Sequence, residues 1–532
     1  MTAKDRAAGG ASAVPRADAE VELKLRGEPE ALKALFAGPA IRARANGRGS
    51  TRLLENVYYD TADQRLRCGG LAFRVRKDGR RYVQTLKSND AGGMVAYRGE
   101  WQTPLASAEP DLRLLPSGAT EVLNGLAATD ELRALFTTRV RRHSRRLQIA
   151  GRDGRPSLVE AALDLGAIEA EGSSQPIAEI ELELLDGAPT ALYDLALELD
   201  ELSPLRLETR SKSARGYALA RREAPAVHKA TPLVLGARTT VDAAIGSILR
   251  ACLQHWCANE AAALDGRDPE GVHQMRVALR RLRSAVSVFG HLILPERRAW
   301  LAAETKRIIG GLGAARDWDV FLTEALAPLI VARPQDGRLL ALGEAARTAQ
   351  AEGYATARAM VGSPSYTRFL LQLGRWIEAS GWRDDASDKG AAWLERPVTA
   401  FADRLLGKRH RKAMKLGHDF AGLAPEERHR LRIALKKLRY ATEFFDSGYK
   451  KKRTARYLAA LKQLQDALGH LNDVAVAERL VGSLLERSGG DRVALAQGSG
   501  MVLGWLARGV AELEPQTRSA WQDFTARKPF WH

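Results

Sequence analysis

The sequence predicts an α+β chain in two halves, an antiparallel β barrel or sandwich with flanking helices and then an all-helical half. Three observations predict it. Up to about residue 225, charged and apolar residues alternate in short runs between turn signals such as Asp78-Gly79 and Ala91-Gly92-Gly93, the pattern of antiparallel strands. From about Thr239 the composition turns to Ala, Leu, Arg and Glu at helical spacing. Two stretches of that second half repeat at a constant offset of 156 residues, the mark of a duplicated unit.

The first strand contains Glu20-Val21-Glu22-Leu23-Lys24. Alternation sends Glu20, Glu22 and Lys24 to one face and Val21, Leu23 and Leu25 to the other. Pro29 to Phe36 reads as a short amphipathic helix. Strands are predicted over Leu53–Tyr59, Leu71–Arg76, Tyr82–Lys87 and Val95–Thr103, then over Thr137–Ile149, Ser157–Leu165, Ile168–Glu171 and Ala178–Leu185. In the last of these the acidic alternation returns as Glu179, Glu181 and Glu183, with Glu183 either inward or at a mouth. Cations alternate on the strands between, where Arg74 shares a face with Arg76, and Lys87, Arg98 and Glu100 fall on comparable strands. A charged strand position ordinarily faces solvent, and for any single residue that reading stands. The set is harder to leave in water, because like-charged neighbours on one face repel unless a counter-ion lies between them. Acids on one wall and cations on the others suit a bound divalent cation with an anionic substrate.

In the helical half, HQMRVALRRLR (273–283) corresponds to HRLRIALKKLR (429–439), and LGAARD (312–317) to LGHLND (468–473). Two related helical bundles are expected. On a helix His273, Arg276, Arg280 and Arg283 fall within an arc of about 80°, opposite Met275, Leu279 and Leu282. The second copy sets His429, Arg432, Lys436 and Arg439 against Leu431, Leu435 and Leu438. Val277 and Ile433 interrupt the cationic faces. One such face is ordinarily just solvated. Two copies, each stacking cations without interleaved Glu at i+4, favour an anion-binding surface, with the histidines as phosphate donors. Lys408, Arg409, Arg411, Lys412 and Lys415 are peripheral candidates. Residues 333–395, with PQDG, GSPS and GWRDDASDKG, read as loops or an insertion.

Composition narrows the classes further. The formal net charge is +17 over 532 residues; residues 1–225 hold 34 Lys+Arg against 32 Asp+Glu, so the excess belongs to the second half. That asymmetry points to a polyanionic partner, whether nucleic acid, anionic membrane or polyphosphate. Few aromatics interleave the cationic faces, which argues against stacking on single-stranded nucleic acid. No apolar run reaches the about eighteen residues of a membrane span. Residues 1–18 lack the apolar core of a secretory signal and read as a tail. Cys68, Cys252 and Cys257 form no Cys-x-x-Cys, which suits a reducing cytoplasm. No GxxxxGK[ST] cradle is present.

The motifs also carry resemblances. ExExK (Glu20–Lys24), NVYYDT (56–61), LAFRVRKDG (71–79), QTLK (84–87), ALDLG (162–166), EIELEL (179–184) and SKSARGY (211–217) resemble, in order, the signatures of CYTH domains, the triphosphate tunnel metalloenzymes. The resemblance implies an eight-stranded antiparallel tunnel over 19–224 that hydrolyses a triphosphate with Mg²⁺ or Mn²⁺. It further implies Glu20, Glu22, Glu179 and Glu181 as metal ligands and Lys24, Arg74, Arg76, Lys87, Arg98, Arg142 and Lys212 as phosphate contacts, with Glu100 and Asp164 completing the lining. The run Arg139 to Arg146 offers several registers, of which Arg142 is carried over. The same fold hosts thiamine triphosphatases and adenylate cyclases. After a linker over 225–237, the repeated motifs resemble the CHAD domain, over 238–526. This implies binding of inorganic polyphosphate and association with polyphosphate granules. A binding protein without turnover and a nucleic-acid binder are the competing readings.

Overall fold

The computed structural model describes residues 19–88, 95–151, 154–236, 238–487 and 492–531. The expected tail of residues 1–18 lies outside these. The chain divides into two compact units, the first of residues up to Pro225 together with Thr367–Arg375 from the middle of a later helix, the second of the remainder.

Nine antiparallel strands build the first unit: β1 (Ala19–Arg26), β2 (Ser50–Asp60), β3 (Leu71–Asp78), β4 (Arg81–Ser88), β5 (Val95–Leu105), β6 (Arg133–Ile149), β7 (Ser157–Ala170), β8 (Ser173–Asp186) and β9 (Arg206–Leu207). Their order is β5-β4-β3-β2-β6-β7-β8-β1-β9, and β5 also pairs with β1. The eight long strands are therefore hydrogen-bonded all the way round, as expected. The ninth, only two residues long, extends the pairing of β1 at Leu25 and Arg26 and carries too little pattern to be read from sequence. The two strands predicted across Ser157–Glu171 are one. Gly166 is no break; it is where the β6 backbone passes closest, since a Cβ there would lie 1.9 Å from the Arg139 carbonyl oxygen.

Alternation separates the two faces of the ring. Leu23, Leu25, Ile180 and Leu182 are fully buried on the outer side. They lie beneath α1 (Pro29–Ala37), which rests on β7 and β8, and α2 (Thr190–Leu202), which rests on β1, β7 and β8. Each such leucine contributes about 1.5–3 kcal/mol of burial. A third helix, α3 (Lys212–Arg221), is capped by the Ser211 hydroxyl accepting from the Ala214 N–H and lies across β6, β7 and β8. It approaches so closely that a Cβ on Gly216 would meet the Phe136 ring at 2.0 Å. Tyr217 anchors it by donating to Asp60 Oδ2 at 2.9 Å. Fully buried Asp60 also accepts from the backbone of Thr61, Leu66 and Arg67.

The second unit is helical: α4 (Val241–Asp265), α5 (Glu270–Val288), α6 (Pro295–Gly311), α7 (Gly313–Val320), α8 (Gly337–Val361), α9 (Pro364–Glu378), α10 (Val398–Leu416), α11 (Pro425–Phe445), α12 (Lys451–Arg487) and α13 (Arg492–Thr525). The 156-residue offset carries α4 onto α10 and α5 onto α11. It carries α6 and α7 together onto the single helix α12. The two copies meet reciprocally: the Val241 N–H donates to the Arg396 carbonyl and the Val398 N–H to the Thr239 carbonyl, each at 2.9 Å. Phe289 and Phe445, equivalent by the offset, pack edge to face at 6.3 Å.

Residues 333–395 are not a loop region but contain α8 and α9. Their turn residues mark helix starts: Asp336 of PQDG caps α8 by accepting from the Arg338 N–H, and Pro364 of GSPS opens α9. GWRDDASDKG contributes to two short helices, Trp382–Asp385 and Asp388–Leu394.

Candidate functional site

The inner face of the strand ring encloses a cavity of about 230 Å³ lined by seven carboxylates and six cations. A solvated face does not enclose such a set, and the near balance of sign explains how so many charges share one space. β1 supplies Glu20, Glu22 and Lys24; β3 supplies Arg74 and Arg76; Lys87, Glu100 and Arg142 come from β4, β5 and β6. β7 and β8 add Asp164 and Glu181, and the first turn of α3 adds Lys212.

Strand register sorts these groups into two clusters. Asp164 sits opposite both Arg142 on β6 and Glu179 on β8, and Lys24 sits opposite Glu181. Lys212 reaches into that group, with its ammonium 2.7 Å from Asp164 and 2.8 Å from Glu181, and it also donates to Glu179. Arg142 grips Asp164 with two bonds of 2.7 and 2.6 Å and donates to Glu181 as well. In the second cluster Lys87 bridges Glu20 at 2.7 Å and Glu100 at 2.9 Å, with Arg74 3.5 Å from Glu100. Lys24 connects the clusters, 2.6 Å from Glu22 and 3.7 Å from Glu181.

Mutual pairing sets the protonation states. Burial opposes ionisation of Glu181, but Lys212, Arg142 and Lys24 outweigh it and hold the carboxyl well below the usual range. Burial likewise opposes the charge on Lys212, yet Asp164, Glu179 and Glu181 hold it well above. Glu100 is held at about 2 because Lys87 and Arg74 overcome its burial. Two groups lack such compensation. Arg76 is depressed to about 10, first by the like charge of Arg74, then by burial and Arg142; its Nε donates to Asn56 Oδ1 at 2.9 Å. Glu183 lines the cavity and is pushed up to about 7, chiefly by burial and then by Glu20 and Glu22. One wall is thus short of an anion and another short of a cation.

Of the sequence candidates, Glu20, Glu22, Lys24, Arg74, Arg76, Lys87, Glu100, Arg142, Asp164, Glu181 and Lys212 line this cavity, and Glu179 joins it through Lys212. Arg98 stands opposite Glu20 on β5, and its side chain lies outside the described residues. The register on β6 resolves to Arg142 inward, while Arg139 is exposed and pairs with Glu55 and Glu169. Glu183 is inward. The sequence reading missed Glu160, which lines the same cavity and alternates with Asp164. It also missed Arg215, one helical turn beyond Lys212, whose guanidinium is 2.9 Å from Glu179 and donates to the Pro176 carbonyl at 2.8 Å.

The donor set fits a hard divalent cation. Asp164, Glu179 and Glu181 each bring a carboxylate oxygen within 4.8 Å of the others, and Mg²⁺ and similar ions take oxygen ligands. This trio differs from the four glutamates expected: Asp164 joins Glu179 and Glu181, while Glu20 and Glu22 are paired to Lys87 and Lys24.

In the helical unit the predicted cationic faces are not uniform. Arg283 and His429 are exposed, whereas Arg276, Arg280, Arg432 and Lys436 are half-buried. His273 is depressed to about 4, first by burial and then by Arg316, so it is a neutral imidazole. Arg276 donates to the Ile309 carbonyl at 3.1 Å. The expected absence of an acid at i+4 fails at Arg439, which donates to Glu443 at 2.7 Å. Glu443 also accepts from Arg281 at 3.0 Å, tying α5 to α11. Lys437 is depressed by burial and by Arg409, Lys412 and Arg283, so cations of α5, α10 and α11 converge there.

Residues 18–217 match the family model described as CYTH domain, and residues 247–482 match that described as CHAD domain. An inorganic triphosphatase of Haemophilus influenzae is 31% identical over 174 residues, which are 31% of this chain and 46% of that protein. This chain therefore spans less than half the length of that relative. An uncharacterized protein of Mycobacterium tuberculosis is 26% identical over 446 residues, 80% of this chain and 82% of that one. Among solved structures, the CHAD domain from the plant Ricinus communis is 32% identical, covering 57% of this chain and 98% of that chain, with a TM-score of 0.49. Among the described residues no helix is long and apolar enough to cross a membrane.

Proposed function

Because the chain carries a CYTH domain followed by a CHAD domain, we propose that its strand ring hydrolyses inorganic triphosphate with Mg²⁺ or Mn²⁺ and that its helical unit binds inorganic polyphosphate. The observation that carries the first part is the pairing of uncompensated walls in one cavity: Arg76 beside Arg74 on one side, Glu183 beside Glu20 and Glu22 on another. A triphosphate with its cation supplies both missing charges.

Arg74, Arg76, Lys87 and Arg142 would hold the phosphate oxygens, and a guanidinium or ammonium on the departing phosphate stabilises the charge that develops there. Lys24, set between the clusters, and Lys212, at the centre of the first, orient the chain of phosphates. Asp164, Glu179 and Glu181, with Glu20 and Glu22 facing them, would hold the cation. When bound, that cation neutralises phosphate oxygens and lowers the pKa of a coordinated water. Arg215 fixes the Glu179 carboxylate from behind. The inorganic triphosphatase of Haemophilus influenzae, similar across part of this chain, supports the substrate.

In the helical unit, Arg280 and Arg283 of α5, Arg409 and Lys412 of α10, and Lys436 and Lys437 of α11 form the surface for polyphosphate. The cationic excess of residues 226–532 supports the reading, as does the mutual depression around Lys437. A cytoplasmic, granule-associated protein is the setting this implies.

The test is phosphate release by the purified chain from tripolyphosphate, ATP and thiamine triphosphate in parallel, with and without Mg²⁺ or Mn²⁺. The expected result is metal-dependent release with tripolyphosphate preferred. Preference for ATP with a cyclic nucleotide as product would end the triphosphatase reading, and no turnover on any of the three would leave a binding protein.

A further inference from the structure

The helical unit contains a second cavity, about 580 Å³ in volume and partly open to solvent, between α5, α6 and α11. Arg280, Arg283, Arg298, Lys436 and Lys437 bring five cations to it. The Arg280 Nε is buried with no hydrogen-bond partner among the described residues. The opposing chemistry is different: Val286, Leu301 and Ile433, with the ring of Tyr440, form an apolar wall. Ile433 is the residue that interrupts the cationic face of α11, and it keeps 42% of its surface exposed despite being apolar. An inorganic phosphate chain has no apolar surface to bury against such a wall, so polyphosphate leaves half of the cavity unexplained.

The duplication supplies an internal comparison. At the 156-residue offset, Leu301 and Thr305 of the cavity correspond to Tyr457 and Leu461. Tyr457 is 1% exposed and packs against Phe524 and Phe530 at 5.4 Å and Trp531 at 5.3 Å. The second copy fills with aromatic rings the neighbourhood that the first leaves open.

We propose that this cavity is a nucleotide-binding site, with the base against Tyr440, Ile433 and Val286 and the phosphates on Arg280, Arg283, Lys436 and Lys437. Its volume is in the range of about 300–1,000 Å³ that small-ligand sites occupy, and an apolar body with a few convergent polar groups is their usual lining. Aromatic stacking is tolerant of base identity, and the adjacent cations select for two or more phosphates. The proposal rests on the anion-binding reading of α5 and α11 and extends it to a ligand with an organic part.

Photolabelling of the full chain with an azido-ATP probe in EDTA, followed by peptide mapping, tests the site directly. Ile433→Glu and Tyr440→Ala serve as variants, with thermal melts to verify folding. Label is expected in peptides of α5, α6 or α11, falling about tenfold in Ile433→Glu and by a similar factor in Tyr440→Ala. Polyphosphate retention and tripolyphosphate hydrolysis by Tyr440→Ala, which changes no charge, are expected to stay at the wild-type level. Label confined to peptides of the strand ring overturns the proposal while leaving polyphosphate binding intact. Polyphosphate retention lost together with the label in Tyr440→Ala also overturns it, because the cavity would then belong to the path of the inorganic chain. If Arg280→Ala/Lys436→Ala retains polyphosphate fully, the underlying anion reading falls, and the proposal with it.

Discussion

Lys212 holds three buried carboxylates together, and its replacement separates structural from chemical roles. Removing the ammonium in Lys212→Met takes one cation from Asp164, Glu179 and Glu181 and leaves them to Arg142, Lys24 and Arg215, which costs up to about 3–5 kcal/mol. A divalent cation bound by the same trio would restore part of that through ligation to the folded state. Melting temperature is therefore expected to fall without metal and to rise more on adding Mg²⁺ in the variant than in wild type. Glu183 makes a separate prediction. Its carboxyl is raised from 4.5 to about 7, by burial first and then by Glu20 and Glu22, so the folded chain keeps a proton that the unfolded chain releases earlier. That contribution is fully present below the lower value and is lost as pH rises through the upper one. In melts without divalent ions at about pH 5 and about pH 8, Glu183→Gln is expected to lose less stability than wild type. These residues differ in how legible they were. Glu20 could be placed by strand alternation alone, whereas alternation left Glu183 either inward or at a mouth. Arg215 could not, because its role depends on α3 lying across β8, a contact with no local sequence signature.

At the level of elements, α3 is placed by a close approach. Gly216→Ala would push a methyl group into Phe136, 2.0 Å away, and lift the helix that carries Lys212 and Arg215. A loss of about 1–3 kcal/mol is expected from such overpacking, with phosphate release falling further than the melting temperature alone accounts for. Measuring the rate well below the new melting point distinguishes displacement from unfolding. The strands were legible because period-two alternation survives wherever one face is buried and the other is charged. The register of β6 was not, since Arg139, Arg141, Arg142, Arg145 and Arg146 satisfy the pattern on either face. It took pairing with Asp164 on β7 to choose Arg142. Helices α8 and α9 were read as loops because their capping residues Asp336 and Pro364 are also turn formers. The same residue chemistry ends one element and begins the next.

Across the whole molecule, opposite dependences are expected for the two proposed activities. Chelation with EDTA should abolish phosphate release from tripolyphosphate while leaving retention of long polyphosphate intact. Raising salt should weaken retention steeply, as counter-ion release predicts for a polyanion on a cationic surface, and affect turnover less, because the cavity charges are enclosed. Retention lost with the metal would contradict the division. The charge asymmetry between the halves was visible in the sequence, and so was the duplication. The cavity between α5, α6 and α11 was not, because it arises where the copies differ, and an offset alignment reports where they agree.

The reciprocal backbone bonds that join Val241 to Arg396 and Val398 to Thr239 bear on how this unit comes apart. Contacts so distant along the chain cost loop-closure entropy that is recovered only when both bundles are in place. A stack of repeats can unravel from its ends; a pair strapped at the entrance of each copy has no free end to begin from. Calorimetry of the helical unit is accordingly expected to show one cooperative transition, and two resolved peaks would mean that the strap yields first.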